Sequence, residues 1–180
     1  MHRSSFDAMG CPIAGALEQV GEWWSLLILR DALDGYSRFD EFERNLGIAP
    51  NMLTRRLTSL VDAGLLERRQ YSDRPPRYDY VATTRARELS PVIVALYVWG
   101  NKHVDENDRQ VVLVDDAGET IDPVLVDRRT GRTLAESKAQ FIPGPAASEP
   151  MQRRLDPDLR ADRRLRRARA RSVGQQPNGQ

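Results

Sequence analysis

Between Ser37 and Gly64 the chain twice writes an apolar period of three and four residues, stopping once at a glycine and restarting at a proline. Phe39, Phe42 and Leu46 share one helical face, Gly47 ends that helix, and Ser37 is expected to cap its start. Ile48 and Ala49 bridge to Pro50, whose missing N–H is harmless at a first helical position. The helix it opens carries Leu53, Leu57, Leu60 and Val61 on one side, and Gly64 closes it. Two helices joined by so short a glycine-containing turn form a helix-turn-helix.

The flanking sequence completes a domain. Upstream, Pro12 with Ile13, Ala16, Leu17 and Val20 gives a short amphipathic helix ended by Gly21. Glu22–Leu33 is a second helix, apolar around most of its circumference and therefore expected to be buried on more than one side. After Gly64 the period becomes extended, with strands expected over Leu65–Tyr71 and Arg77–Val81 around the turn Ser72-Asp73-Arg74-Pro75-Pro76. A basic hairpin after a helix-turn-helix makes a winged helix, so the fold class is mainly α with a small β-hairpin wing (α+β). A last helix from Thr84 to His103 carries Leu89, Val92, Ile93, Leu96, Tyr97 and Trp99, more apolar surface than one such domain need bury. Packing against a second copy, a homodimer, accounts for it.

The expected organisation is an N-terminal arm (1–10), the winged-helix domain (11–104), a small β appendage (105–142), and a linker with an Arg-rich disordered tail (143–180). The appendage rests on a near repeat, Val112–Ile121 and Val124–Leu134, each an apolar run, a glycine-containing turn and a second short run. With 27 basic and 26 acidic residues the chain is almost neutral, but the charge is divided unevenly. Residues 105–149 hold five bases and ten acids, whereas 150–180 hold nine and three. The tail, rich in arginine and poor in apolar side chains, is expected to add nonspecific, salt-sensitive affinity for DNA or to act only as a solubilising segment.

Several classes are excluded. One cysteine, Cys11, and two histidines, His2 and His103, cannot build a thiolate zinc site or a metal cluster, so no metal and no cofactor are expected. No apolar stretch reaches the roughly 18 residues that span a bilayer, and Met1–Gly10 lacks the order of a signal peptide. A cytoplasmic protein without a membrane partner is expected. No catalytic triad, phosphate loop or metal-ligand helix is visible, so the chain does not read as an enzyme.

The stretches CPIAGALEQVG (11–21), Trp24 with LLILRDAL (26–33), SRFDEFERNLGIAPNMLTRRL (37–57) and AGLLERR through PPRYDY (63–80) resemble the HxlR family of winged-helix transcriptional regulators, related to the MarR type. The resemblance implies a homodimer on a pseudo-palindromic operator and, in some members, a reactive cysteine near the N-terminus; a repressor is the expected sense of regulation.

Successive residues about 100° apart put Asn51, Arg55, Thr58 and Asp62 opposite the leucine face of the fourth helix, with Met52, Thr54, Arg56 and Ser59 on the flanks. The candidate DNA-binding set is therefore Asn51, Met52, Thr54, Arg55, Arg56 and Thr58. Arg55 suits guanine O6/N7 and Asn51 suits adenine N6/N7. Arg74 and Arg77 at the stiff tip of the wing suit phosphate or minor-groove contact, while one of Arg68 and Arg69 is expected to be an ordinary solvated strand residue. A plain solvated helix face is the competing account of these charges. Trp23, Trp24 and Trp99 are expected in the core rather than around an effector.

Cys11 falls at the N-cap before Pro12, where free N–H groups and the helix dipole stabilise a thiolate. It is a candidate sensor of an oxidant or small electrophile; a small buried apolar residue is the alternative. The function expected is a sequence-specific, double-stranded-DNA-binding regulator, and its rival is a winged-helix module that assembles proteins without reading DNA.

Overall fold

A computed structural model of the chain describes residues 10–173, with side chains described as far as residue 166. The expected N-terminal arm lies outside the described residues except for Gly10. The chain divides into two units: residues 15–124, and residues 10–14 together with the chain from 125 onward.

The first unit is built on helices α1 (Pro12–Val20, whose first turn falls in the other unit), α2 (Trp23–Leu33), α3 (Phe39–Leu46) and α4 (Pro50–Asp62). Its core is made by Ile28 and Leu29 of α2, Phe42 of α3 and Leu53, Leu57 and Leu60 of α4, all fully buried. Each such side chain contributes about 1.5–3 kcal/mol through burial. Because the three leucines fall on one stripe of α4, their burial fixes the rotation of that helix and turns Asn51, Thr54, Arg55 and Thr58 into solvent. The turn between α3 and α4 is short because Gly47 takes the left-handed conformation at φ 61°, where a side chain would be strained, and Ile48 plugs the core beneath it.

One charged group sits inside this core. Asp31 of α2 is almost fully buried, yet both oxygens are satisfied: Oδ1 accepts from Arg30 at 2.7 and 2.8 Å, and Oδ2 accepts from Asn45 Nδ2 of α3 at 2.6 Å. The carboxylate thereby ties the first helix of the helix-turn-helix to α2.

The wing pairs strands β1 (Leu66–Asp73) and β2 (Pro76–Ala82) in antiparallel register, Leu66 opposite Ala82 and Arg68 opposite Tyr80, with a bulge at Tyr71. The strands run further toward the tip than periodicity suggests, so the turn is only Arg74 and Pro75, joined by a cis peptide. Within β1, Gln70 Nε2 donates to Ser72 O (3.1 Å) and Asp73 Oδ1 (2.8 Å), bonds that bracket the bulge.

Ser37 does not cap α3. Arg38 is the N-cap residue, and the carboxylate of Glu41 accepts from the backbone N–H of Ser37 (3.1 Å) and Arg38 (2.9 Å). The Ser37 hydroxyl donates instead to Asp79 Oδ1 at 2.8 Å, its carbonyl accepts from Tyr80 N at 2.7 Å, and Arg38 makes an isolated bridge to Asp79. The segment before α3 thus lies along β2 and docks the helix-turn-helix onto the wing.

The expected single helix from Thr84 to His103 is two helices, α5 (Thr84–Arg87) and α6 (Ser90–Asn101). Pro91 lies in the first turn of α6, where it is tolerated, whereas within a continuous helix it would remove a backbone hydrogen bond. Of the tryptophans expected in the core, only Trp24 packs against it. Trp23 is 89% exposed and Trp99 76% exposed, and no residue of α6 is buried.

The expected β appendage contains no regular strand among the described residues. Its two repeats close as single bridges, Val114 to Thr120 and Val126 to Thr133. Each is organised around an aspartate: Asp115 Oδ1 accepts from the N–H of Ala117 and Glu119, and Asp127 Oδ1 from that of Arg129. The flanking Val112, Val124 and Leu125 remain exposed, and arms this short need a third strand or a covering helix to make a sheet.

The Arg-rich stretch also differs from expectation, forming helices α7 (Glu149–Leu155) and α8 (Pro157–Val173). Arginine, alanine and leucine are good helix formers, Asp156 Oδ1 accepts from Leu159 N, and the pairs Arg153–Glu149 and Arg166–Asp162 are spaced one turn apart.

Candidate nucleic-acid interface

Six residues of α4 carry the sequence expectation, and the structure divides them. Asn51, Thr54, Arg55 and Thr58 are exposed together on the side opposite the leucines. Thr54 Oγ1 donates to Pro50 O and Thr58 Oγ1 donates to Thr54 O, both at 2.9 Å. Their hydroxyl protons are therefore used within the helix, and what they offer outward is oxygen lone pairs and methyl groups. Arg55 enters no ion pair among the described residues, so its whole donor fork is available.

Met52 and Arg56 face elsewhere. Met52 is half-buried against the core. Arg56 has a side chain only 12% exposed, and its Nη2 lies 3.1 Å from Glu22 Oε2 at the start of α2, while its Nε is buried with no hydrogen-bond partner. Arg56 is thus committed to the body of the domain.

On the wing, Arg74 and Arg77 are exposed at and beside the tip. Arg69 pairs with Glu67 two residues earlier at 2.8 Å, as an ordinary solvated strand residue does. Arg68 lies across the opposite strand, its guanidinium 4.3 Å from the centre of the Tyr78 ring. Tyr78 and Tyr80 are partly buried cross-strand residues, in keeping with packing rather than base stacking.

Sequence reasoning missed Arg38. Its guanidinium stands 4.9 Å from the Tyr71 ring centre and 3.9 Å from Asp79, and more than half of the side chain is exposed between α3 and the wing. No periodicity marks it, because its place depends on a bridge of one residue. Arg85 was also unmarked; it donates to Ala63 O (2.6 Å) and Gln19 Oε1 (2.7 Å) and so anchors the C-terminal end of α4.

In the other unit, Cys11 precedes Pro12, the first residue of α1, and is half-exposed. The backbone N–H groups of Ala14 and Ile13 point at its sulfur and hold the thiol below its ordinary pKa, and the Arg154 guanidinium adds to the effect. No helix among the described residues is long and apolar enough to cross a membrane.

Residues 19–108 match the model of a family described as the HxlR-like helix-turn-helix. An uncharacterized HTH-type transcriptional regulator of Mycobacterium tuberculosis is 38% identical over 146 residues, which is 80% of this chain and 90% of that protein. Among solved structures, PA1374 of Pseudomonas aeruginosa, described as a candidate transcription factor, is 51% identical. The match covers 81% of this chain and all of that one at a TM-score of 0.61. PA1607, described in the same terms, is 33% identical over 77% of this chain and 98% of its own, at a TM-score of 0.68.

Proposed function

This chain belongs to the HxlR-like helix-turn-helix family of DNA-binding transcriptional regulators, and from that premise we propose that it works in the cytoplasm as a homodimeric repressor. Each copy inserts α4 into the major groove of one half-site of a pseudo-palindromic operator. Asn51 and Arg55 read base edges, Thr54 and Thr58 supply acceptors and methyl contacts, and Arg74 and Arg77 hold phosphate. Arg56 and Met52 support α4 from behind.

The observation that carries this reading is the exposed polar face of a helix whose opposite face is locked by three buried leucines. A helix used for base reading must be held in fixed rotation, and here the core does that. The exposed Val92, Leu96 and Trp99 at one-turn spacing on α6 favour a second copy as the partner. The depressed thiol of Cys11 favours regulation by an oxidant or small electrophile.

Selection of bound sequences from random DNA, followed by footprinting, tests the reading. The expected result is an inverted repeat with half-site centres about one helical turn, 34 Å, apart. Binding with no sequence enrichment, or no salt-dependent DNA binding at all, would replace this reading with that of a protein-assembly module.

A further inference from the structure

The unit that contains residues 10–14 and the C-terminal stretch has a cavity of about 440 Å³, lined by Ile13, Phe141, Ile142, Met151 and Leu155, with Cys11 and Arg154 at its wall. Phe141 and Ile142 are each 69% exposed. Leaving large apolar side chains in water around a concavity is unfavourable by about 25 cal/mol for each Å² that an occupant could cover. The volume falls in the range of small-molecule sites.

Phe141, Arg154 and Leu155 also line a second, more open pocket, whose remaining walls are Arg160, Arg163 and Arg164. Four guanidinium groups therefore stand at one edge of an apolar cavity. None of the four enters an ion pair among the described residues, whereas Arg153 and Arg166 on the same helices are paired with Glu149 and Asp162. Backbone carbonyls aim two of them: Arg160 Nη1 donates to Phe141 O at 2.5 Å, and Arg163 Nη2 donates to Arg154 O at 2.7 Å. Each retains further N–H donors in a planar fork that matches phosphate oxygens.

We propose that this unit binds a small soluble amphipathic phosphate, its alkyl, prenyl or aryl body in the apolar cavity and its phosphate or diphosphate head among Arg154, Arg160, Arg163 and Arg164. A single carboxylate would neutralise one guanidinium, whereas a doubly charged or diphosphate head answers several. Duplex DNA accounts for the arginines, but its bases are already stacked on one another and leave Phe141 and Ile142 uncovered. The site shares no residue with α4 or the wing, so its occupancy can be measured without DNA.

The experiment is titration calorimetry of the full chain with octyl phosphate below its micelle-forming concentration, against octanol, octanoate and inorganic phosphate. Octyl phosphate should bind at least about tenfold more tightly than each of the three, a difference of about 1.4 kcal/mol. Replacing Arg154 and Arg164 together by Gln should remove that advantage and leave octanol unchanged, while Ile142→Ser should weaken octyl phosphate and leave inorganic phosphate unchanged. These three side chains are exposed, so the variants should keep the wild-type circular dichroism spectrum. Because Cys11 is the sole cysteine and borders the cavity, saturating octyl phosphate should also slow its reaction with a thiol reagent. Inorganic phosphate binding as well as octyl phosphate would reduce the site to a charged patch, and octanoate binding equally would remove the phosphate assignment. A random-sequence DNA duplex that displaces octyl phosphate without protecting Cys11 would make the stretch a nucleic-acid surface. Capture by phosphatidic acid vesicles in the absence of octyl phosphate binding would make it a membrane-contacting one.

Discussion

Arg56 of α4 is bound to Glu22 at the start of α2, Nη2 to Oε2 at 3.1 Å, while its helical neighbour Arg55 points into solvent. Two adjacent arginines on the helix proposed to read DNA therefore have different roles. One is held by the core behind it, and the other is left to solvent.

Arg56→Met should accordingly lower stability and leave base preference intact. Removing one partner of a fully buried pair costs about 3–5 kcal/mol, and the partial exposure of Glu22 brings the expected loss to about 1–3 kcal/mol. Urea unfolding should show the shift, and relative affinities for operator variants at a temperature where the protein is folded should match wild type. A changed base preference would return Arg56 to the reading face.

For Arg55 the opposite pattern is expected. Arg55→Ala should cost about 1–3 kcal/mol on the operator and little on random DNA, whereas Arg74→Ala should weaken both and flatten the salt dependence. Fluorescence anisotropy at several salt concentrations separates the two. Equal losses on both DNAs for Arg55→Ala would make it a phosphate contact.

Much of this division was legible in the sequence and some of it could not be. The stripe Leu53, Leu57, Leu60 gives the rotation of α4 from periodicity alone, and with it the exposure of Asn51, Arg55 and Thr58. Arg56 sits on the flank of that stripe, where a small rotation decides between solvent and core, and the position of Glu22 at the start of α2 decides it. The Ser37–Asp79 contact, 42 residues apart, is invisible for the same reason. The misread appendage has a different cause. Val112–Val114 and Val124–Val126 are short apolar runs of the kind strands are made of, but a strand needs a neighbour, and their turn aspartates bond locally instead.

The exposed edge of α6 leads to a prediction about assembly. Leu96→Glu with Trp99→Glu places two charges where Val92, Leu96 and Trp99 are uncovered, so the fold should survive while the homodimer dissociates. Light scattering should report a monomer, and operator affinity should fall much further than affinity for an isolated half-site. A double variant that remains dimeric would move the interface elsewhere.

Glu41 links acid stability to the start of α3. The N–H groups of Arg38 and Ser37 bond its carboxylate and hold its pKa below the ordinary value, with smaller help from the charges of Arg38 and Arg44. A folded pKa below the unfolded one gives stability that is complete above the unfolded value and is lost as pH falls through the folded one. Wild type should lose more Tm than Glu41→Gln as the pH is lowered from 6 to about 3, because the variant has already lost the charge. Parallel Tm curves would show that the cap contributes no pH dependence.

Cys11 is the proposed point of chemical control, and its environment makes a specific demand on its reactivity. The N–H groups of Ala14 and Ile13 stabilise the thiolate, as does Arg154, so at neutral pH a larger share of Cys11 is ionised than of a free thiol. Its alkylation rate plotted against pH should have its inflection below the free-thiol value of about 8.5, and Arg154→Gln should raise that inflection slightly. As the sole cysteine, it can form a disulfide only with a partner copy or a small thiol, or an adduct with an electrophile. Diamide or a quinone should therefore lower operator affinity of the parent and leave Cys11→Ser unaffected, with the modified residue identified by mass spectrometry. Unchanged affinity in the parent, or an equal response in the Ser variant, would leave Cys11 as the residue that precedes α1 and nothing more.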